Sequence, residues 1–209
     1  MNYKHILNNI ADKIEQIIID SNASILATED YGWINKRYVS DKFRLAHIER
    51  YTDKNLEVLH VTCFPNEKYQ QPIFGFDIIC TDKKPLAAFM DWSPVDNTTR
   101  IKTGYKYEKD YPLPDWAKII FSPTPLAIIP TDNELEKLTD IVHNCFEMYM
   151  KILEGAKQNE YRSDYIVAAQ NRYCDNQQKN ERTYNVLKAK LGEEKAKYFM
   201  QNILFPKID

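Results

Sequence analysis

The chain has 209 residues, of which 44% are hydrophobic and 12% aromatic, so it can fill a sizeable core. Its formal charge of −2, from 28 basic and 30 acidic residues, argues against a nucleic-acid binder driven by phosphate neutralisation. No apolar run approaches the roughly 20 residues of a membrane helix, and no leader-like apolar core opens the sequence, so neither membrane insertion nor secretion is expected.

Ile6, Leu7, Ile10, Ile14, Ile17 and Ile18 recur at helical spacing and predict an amphipathic helix over residues 3–20. Residues 22–41 mix Asn, Gly and aromatics without a clear period, which suggests loops with at most a short strand. From Lys42 the period changes to two. Phe43, Leu45, His47, Glu49 and Tyr51 alternate with a second set of side chains. Turn signals at Asp53-Lys54-Asn55 and Asp82-Lys83-Lys84-Pro85 then delimit strands at 56–64, 73–81 and 86–92, giving an antiparallel meander. Residues 93–115 are polar and irregular, with Lys102, Lys106 and Lys109 among aromatics. Leu126–Ile129, between two prolines, reads as an edge strand. Thr131 or Asp132 caps a helix over 133–154, with Glu134 and Glu136 suiting its positive end. Further helices are expected at 158–178, 181–190 and 193–203, with Gly192 as a stop. One domain over 1–209 follows: an α/β fold, a central antiparallel sheet flanked by N-terminal and C-terminal helices.

Two hairpins place ionisable residues together. A loop centred between Phe64 and Ile73 pairs residues whose numbers sum to 137, which sets His60 opposite Asp77. A two-residue Lys54-Asn55 turn pairs residues summing to 109, which sets Glu49 opposite His60. Directly opposed Cβ atoms lie roughly 4.5–5.5 Å apart, so Glu49, His60 and Asp77 would form one cross-strand row, with His47 on the same face. A one-residue slip would destroy it. Desolvation raises carboxyl pKa values and lowers that of imidazole, whereas carboxylate–imidazole pairing favours the charged forms. Such groups titrate as a unit and suit proton delivery. A row of this kind also fits a satisfied structural cluster, and periodicity does not separate the two readings. Zinc held by His47, Glu49 and His60 is a weaker alternative, because no fourth ligand has convincing spacing. The cysteines Cys63, Cys80, Cys145 and Cys174 show no C-x-x-C spacing and fit reduced thiols in a cytoplasmic protein.

The second polar constellation runs from Asn171 to Thr183. Asn180, Arg182 and Thr183 precede the apolar Val186-Leu187 and read either as a solvated helix surface or as an anion site at a helix start.

At these residues the chain resembles the ferredoxin-dependent bilin reductases. The resemblance rests on His60-Val61-Thr62-Cys63-Phe64-Pro65, Pro72-Ile73-Phe74-Gly75-Phe76-Asp77, Asp91-Trp92-Ser93-Pro94, Leu113-Pro114-Asp115-Trp116, Tyr173-Cys174, Gln178 to Thr183 and Leu204-Phe205-Pro206, in order over about residues 40–205. It implies a three-layer α/β/α sandwich with an open-chain tetrapyrrole between the sheet and the C-terminal helices. It implies reduction of biliverdin IXα by single electrons from a [2Fe-2S] ferredoxin through bilin radicals, with no bound cofactor or metal, in a monomer. Asp77 and His60 match the family's proton-delivering pair, and His47-Ile48-Glu49 matches a His-x-Glu pattern of the phycocyanobilin-forming branch. Lys179 to Thr183 matches a substrate-binding segment, so Asn180, Glu181, Arg182, Thr183 and the following Val186, together with His47, are implied as bilin contacts. Glu181 stands where the family has Asp, and Tyr111 stands where it often has Arg. Phycocyanobilin is the leading implied product and phycoerythrobilin the runner-up. A bilin carrier that has lost reduction is the reading from another class, and retention of His60 and Asp77 weighs against it.

Overall fold

The computed structural model describes residues 1–95, 109–159, 161 and 163–209. Lys102 and Lys106 lie outside the described residues. Helix α1 (Tyr3–Asp20) opens with the Asn2 side chain accepting from the His5 backbone N–H at 3.0 Å and buries Leu7, Ile10, Ala11, Ile14 and Ile18. The expected apolar face is therefore real, and it packs on the sheet.

Seven strands follow in a continuous antiparallel meander, each beside its sequence neighbour: β1 (Ser24–Leu26), β2 (Ile34–Val39), β3 (Phe43–Asp53), β4 (Leu56–Pro65), β5 (Ile73–Cys80), β6 (Pro85–Ser93) and β7 (Leu126–Ile128). The expectation of loops over 22–41 is corrected here, since β1 and β2 extend the sheet by two strands. Their signal was weak because Asn35-Lys36-Arg37 lacks an alternating apolar set; β2 is held by its ladder to β3 rather than by burial on both faces. Turns at 54–55 and 82–84 fall where expected.

A short helix α2 (Asp115–Ile120), in the stretch read as irregular, lies against the C-terminal layer. Helix α3 (Asp132–Gly155) starts with a reciprocal capping box: the Glu134 N–H donates to Thr131 Oγ1 at 3.3 Å, and the Thr131 N–H donates to Glu134 Oε2 at 2.8 Å. Helix α4 (Ser163–Gln177) starts later than expected. Helix α5 (Glu181–Leu191) ends at Gly192, whose φ of 83° is the left-handed geometry glycine tolerates. Helix α6 (Glu193–Tyr198) runs into a π-helical turn over Phe199–Leu204, where one continuous α-helix was expected.

Helices α1 and α3 pack on one face of the sheet around Ile48, Leu59, Val61, Phe74, Phe76 and Ile78. The C-terminal helices cover the other face around Leu45, Phe64, Ile73, Tyr173, Leu187, Phe199 and Phe205. The architecture is thus the α/β/α sandwich implied above. All four cysteines are free thiols, and among the described residues no helix is long and apolar enough to cross a membrane.

Candidate active site

Strand register builds the site. Asn35, Glu49, His60, Asp77 and Phe89 are successive partners across β2 to β6. The next row on the same face is Arg37, His47, Thr62, Gly75 and Asp91. The pairings inferred from the hairpin sums, Glu49 with His60 and His60 with Asp77, are those of the ladder. Both rows face the C-terminal helices, because side chains alternate along each strand.

His60 Nδ1 lies 2.6 Å from Asp77 Oδ1, with His60 almost enclosed and the Asp77 side chain 35% exposed. Asp77 is therefore the acid with access to the space above the sheet. Burial works against a charged His60, but the charge and hydrogen bond of Asp77, aided by Glu49, outweigh it and raise the imidazole pKa above its ordinary value. Glu49 is 6% exposed and accepts a hydrogen bond from the Trp33 indole N–H at 2.7 Å. Burial raises its carboxyl to about 7, against the opposing pull of His60 and the Trp33 bond, with Asp77 adding a push upward. A carboxyl half-protonated at neutral pH thus stands beside an imidazole whose charged form is favoured by its partners.

His47 behaves differently. It is fully buried, and its Nε2 lies 2.6 Å from Asn35 Oδ1. Burial, then repulsion by His60 and Arg37, holds its pKa well below the ordinary imidazole value, so it is neutral. Its ring meets that of His60 edge-on at 5.7 Å. His47 Nδ1, His60 Nε2 and Thr62 Oγ1 are all buried without a hydrogen-bond partner. Three orphaned polar atoms on one face are unmet bonding capacity that a polar ligand can satisfy. Among the described residues no group of three or more His, Cys, Asp or Glu is arranged to hold a metal ion, which removes the geometric basis for zinc at His47, Glu49 and His60.

The helical layer completes the site. The Tyr173 hydroxyl accepts from Gln177 Nε2 at 2.9 Å and crosses Gly75, where an added Cβ would lie 3.4 Å from it. Phe205 sets its ring edge-on to His60 at 5.8 Å. Asp91 is buried and accepts from Ser93 Oγ at 2.7 Å and from Ser122 N–H at 2.9 Å, which fixes the chain after α2 to β6.

The residues expected from the second constellation stand at the start of α5. Asn180 caps it, its side chain accepting from the Thr183 N–H at 3.3 Å. Glu181, Arg182 and Val186 are exposed and Thr183 is half-buried. Arg182 Nη1 donates to the Tyr111 hydroxyl, which ties the start of α5 to the chain before α2. Among the described residues no hydrogen bond or ion pair joins this group to the Glu49–His60–Asp77 row. The sequence reading missed Trp33, Asn35, Tyr173 and Phe205 as parts of the site. Asn35 and Trp33 would have followed had β2 been recognised, since pairing β2 with β3 sets Asn35 opposite Glu49.

The sequence pattern of the ferredoxin-dependent bilin reductases matches residues 18–206. The phycocyanobilin:ferredoxin oxidoreductase of Trichodesmium erythraeum is 32% identical over 185 residues, covering 82% of this chain and 75% of that protein. The protein of the same name from Prochlorococcus marinus is 29% identical, covering 85% and 76%. Tomato phytochromobilin synthase, solved in complex with biliverdin, superposes with a TM-score of 0.76 at 16% identity over 92% of this chain and 81% of its own. A solved PcyX structure superposes with a TM-score of 0.70 at 23% identity, over 97% and 99%. A match along nearly the whole chain, together with a buried acid–base row between a sheet and the helices that cover it, means that this chain belongs to the ferredoxin-dependent bilin reductase family.

Proposed function

We propose that the chain reduces biliverdin IXα to phycocyanobilin, taking four electrons singly from reduced [2Fe-2S] ferredoxin and supplying four protons. The observation that carries this reading is the row Glu49–His60–Asp77, enclosed between the sheet and the C-terminal helices. Each electron added to a bound bilin makes a basic radical, and a proton delivered to it makes the next electron easier to accept. Asp77, the exposed end of the row, donates to the bilin. His60 shares its proton with Asp77 through Nδ1 and restores it after transfer. Glu49 tunes His60 from the other side and exchanges a proton near neutrality. Asn180, Arg182 and Thr183, with His47, Glu181 and Val186, bind the bilin, and Arg182 anchors a propionate by a charge-assisted hydrogen bond. Four free thiols suit a reducing, cytoplasmic setting, where the enzyme works as a monomer. The names of the curated relatives favour phycocyanobilin as the product.

The test is anaerobic turnover with biliverdin, ferredoxin, ferredoxin reductase and NADPH. The expected product co-elutes with phycocyanobilin. A spectrum that stays that of bound biliverdin defeats the enzyme reading and leaves a bilin carrier; co-elution with phycoerythrobilin defeats the choice of product. Asp77→Asn is expected to bind biliverdin normally and turn over at least about a hundredfold more slowly, the usual worth of a general acid. Normal turnover in that variant removes Asp77 from its role.

A further inference from the structure

A partly buried tryptophan can place its N–H on a backbone carbonyl or on solvent. Trp33 instead places its indole N–H 2.7 Å from Oε1 of Glu49, the most enclosed carboxylate of the row. Its ring is clamped by three aromatics from three parts of the chain. Tyr31, from the turn before β2, lies 5.8 Å away between centroids; Tyr51, from β3, meets it edge-on at 5.2 Å; Phe199, the first residue of the π-helical turn, does so at 5.5 Å. Gly32, with φ of 84°, turns the chain so that Tyr31 and Trp33 both reach this cluster. A donor with so little freedom is directed at one oxygen.

We infer that Trp33 is a positioning residue that holds Glu49 in line with His60 and Asp77 and sets how readily Glu49 gives up its proton. The inference rests on the reductase reading of the row and adds a member to it. A neutral N–H stabilises the ionised carboxyl more than the neutral one, so it opposes burial. The other polar and charged groups around Glu49 are His60 and Asp77 along the row, His47 and Tyr51 two residues away on its own strand, and Asn35 and Arg37 on β2. Lys190 of α5 reaches only Asp53, farther along β3, at 3.9 Å, and the π-helical turn contributes the apolar Phe199. Trp33 is the one neutral donor bonded to the carboxyl among the described residues. Because Phe199 holds the indole, seating of the C-terminal segment and the proton affinity of Glu49 are coupled.

Indole N–H resonances, followed from pH 5 to 9 in the ligand-free protein, test this without turnover. Three signals are expected, from Trp33, Trp92 and Trp116. That of Trp33 should move with a midpoint near 7 and lose that midpoint in Glu49→Gln. In Trp33→Phe, which keeps the aromatic packing, the carboxyl carbon signal of Glu49 should titrate about one pH unit higher, the effect of losing one hydrogen bond to a charged group. The pH profile of biliverdin turnover should move the same way. A Trp33 signal that ignores pH, or that titrates unchanged in Glu49→Gln, overturns the assignment, as does an unmoved Glu49 midpoint in Trp33→Phe. Should Trp33→Phe fail to fold, the Glu49→Gln comparison still decides. Wild-type protein that shows the linkage yet never reduces biliverdin supports the Trp33 assignment and defeats the reductase reading.

Discussion

The two faces of the sheet are both covered by helices and are differently made. Against α1 and α3 stand Ile48, Leu59, Val61, Phe74, Phe76 and Ile78, none of them solvent-exposed. Against the C-terminal helices, strands β3 to β6 present His47, Glu49, His60, Thr62, Asp77 and Asp91 instead. The same four central strands therefore carry an oil-like interior on one side and a row of ionisable side chains on the other. Burial of the first face releases apolar surface from water and stabilises the fold. Burial of the second costs desolvation energy, offset in part by the pairs His60–Asp77, Glu49–Trp33 and His47–Asn35. The apolar face supplies the stability that lets the polar face remain incompletely bonded.

The contrast breaks most sharply at Phe76. Phe76→Ala removes a fully buried ring from the apolar face and is expected to cost about 3–5 kcal/mol in chemical denaturation, with bilin binding by the folded fraction unchanged. A cost below about 1 kcal/mol would show that the α1/α3 face is not the stabilising one. The polar face is sharpened by pH. The unfolded Glu49 carboxyl releases its proton near 4.5 and the folded one near 7, so between those values folding binds a proton and stability falls as pH rises. The full window is worth about 3 kcal/mol at 1.36 kcal/mol per pH unit. His60 has the same sign: its raised pKa gives stability that is present below 6.5 and is lost as pH rises through the folded value. His47, whose folded pKa lies well below 6.5, pulls the other way below that pH, so the comparison is made by urea denaturation at pH 6.5 and pH 8, where the protein should be more stable at pH 6.5 and the slope should shrink in Glu49→Gln. A slope unchanged in that variant would mean that other groups set it. The smallest effect is expected at Gly75, whose added methyl would only touch the Tyr173 hydroxyl. Gly75→Ala should change stability by less than about 1 kcal/mol and shift the absorption of bound biliverdin slightly; a large loss of binding would mean that Tyr173 cannot yield.

The apolar face and the row were legible in the sequence for one reason. Both depend on strand alternation, and in β3 to β5 alternation and two recognisable loops fix the register without further information. His60 and Asp77 could be matched by addition because the ladder allows no freedom once a turn is placed. What escaped reading lacks such an internal rule. Strand β2 has polar residues on both sides, so its period is hidden. Tyr173 and Phe205 reach the site through packing of segments far apart in the chain, and no local pattern encodes which helix turn meets which strand. The π-helical turn over Phe199–Leu204 has the apolar spacing of an ordinary helix, and it buries Phe199, Ile203 and Leu204.

The uninterrupted strand order has a kinetic corollary. Glu49, His60 and Asp77 come from three strands consecutive in the chain as well as in space, so only two loops must close to bring them into line. Closing loops this short costs little chain entropy, since the cost grows only as the logarithm of loop length. Hairpins of this kind form in roughly microseconds, far ahead of the docking of distant helices. The acid–base geometry is thus a property of two local hairpins and their ladder hydrogen bonds. Helices α4 to α6 close over a row whose order along the strands is already set, and Phe199 at the end of that layer then clamps the indole that fixes the Glu49 side chain.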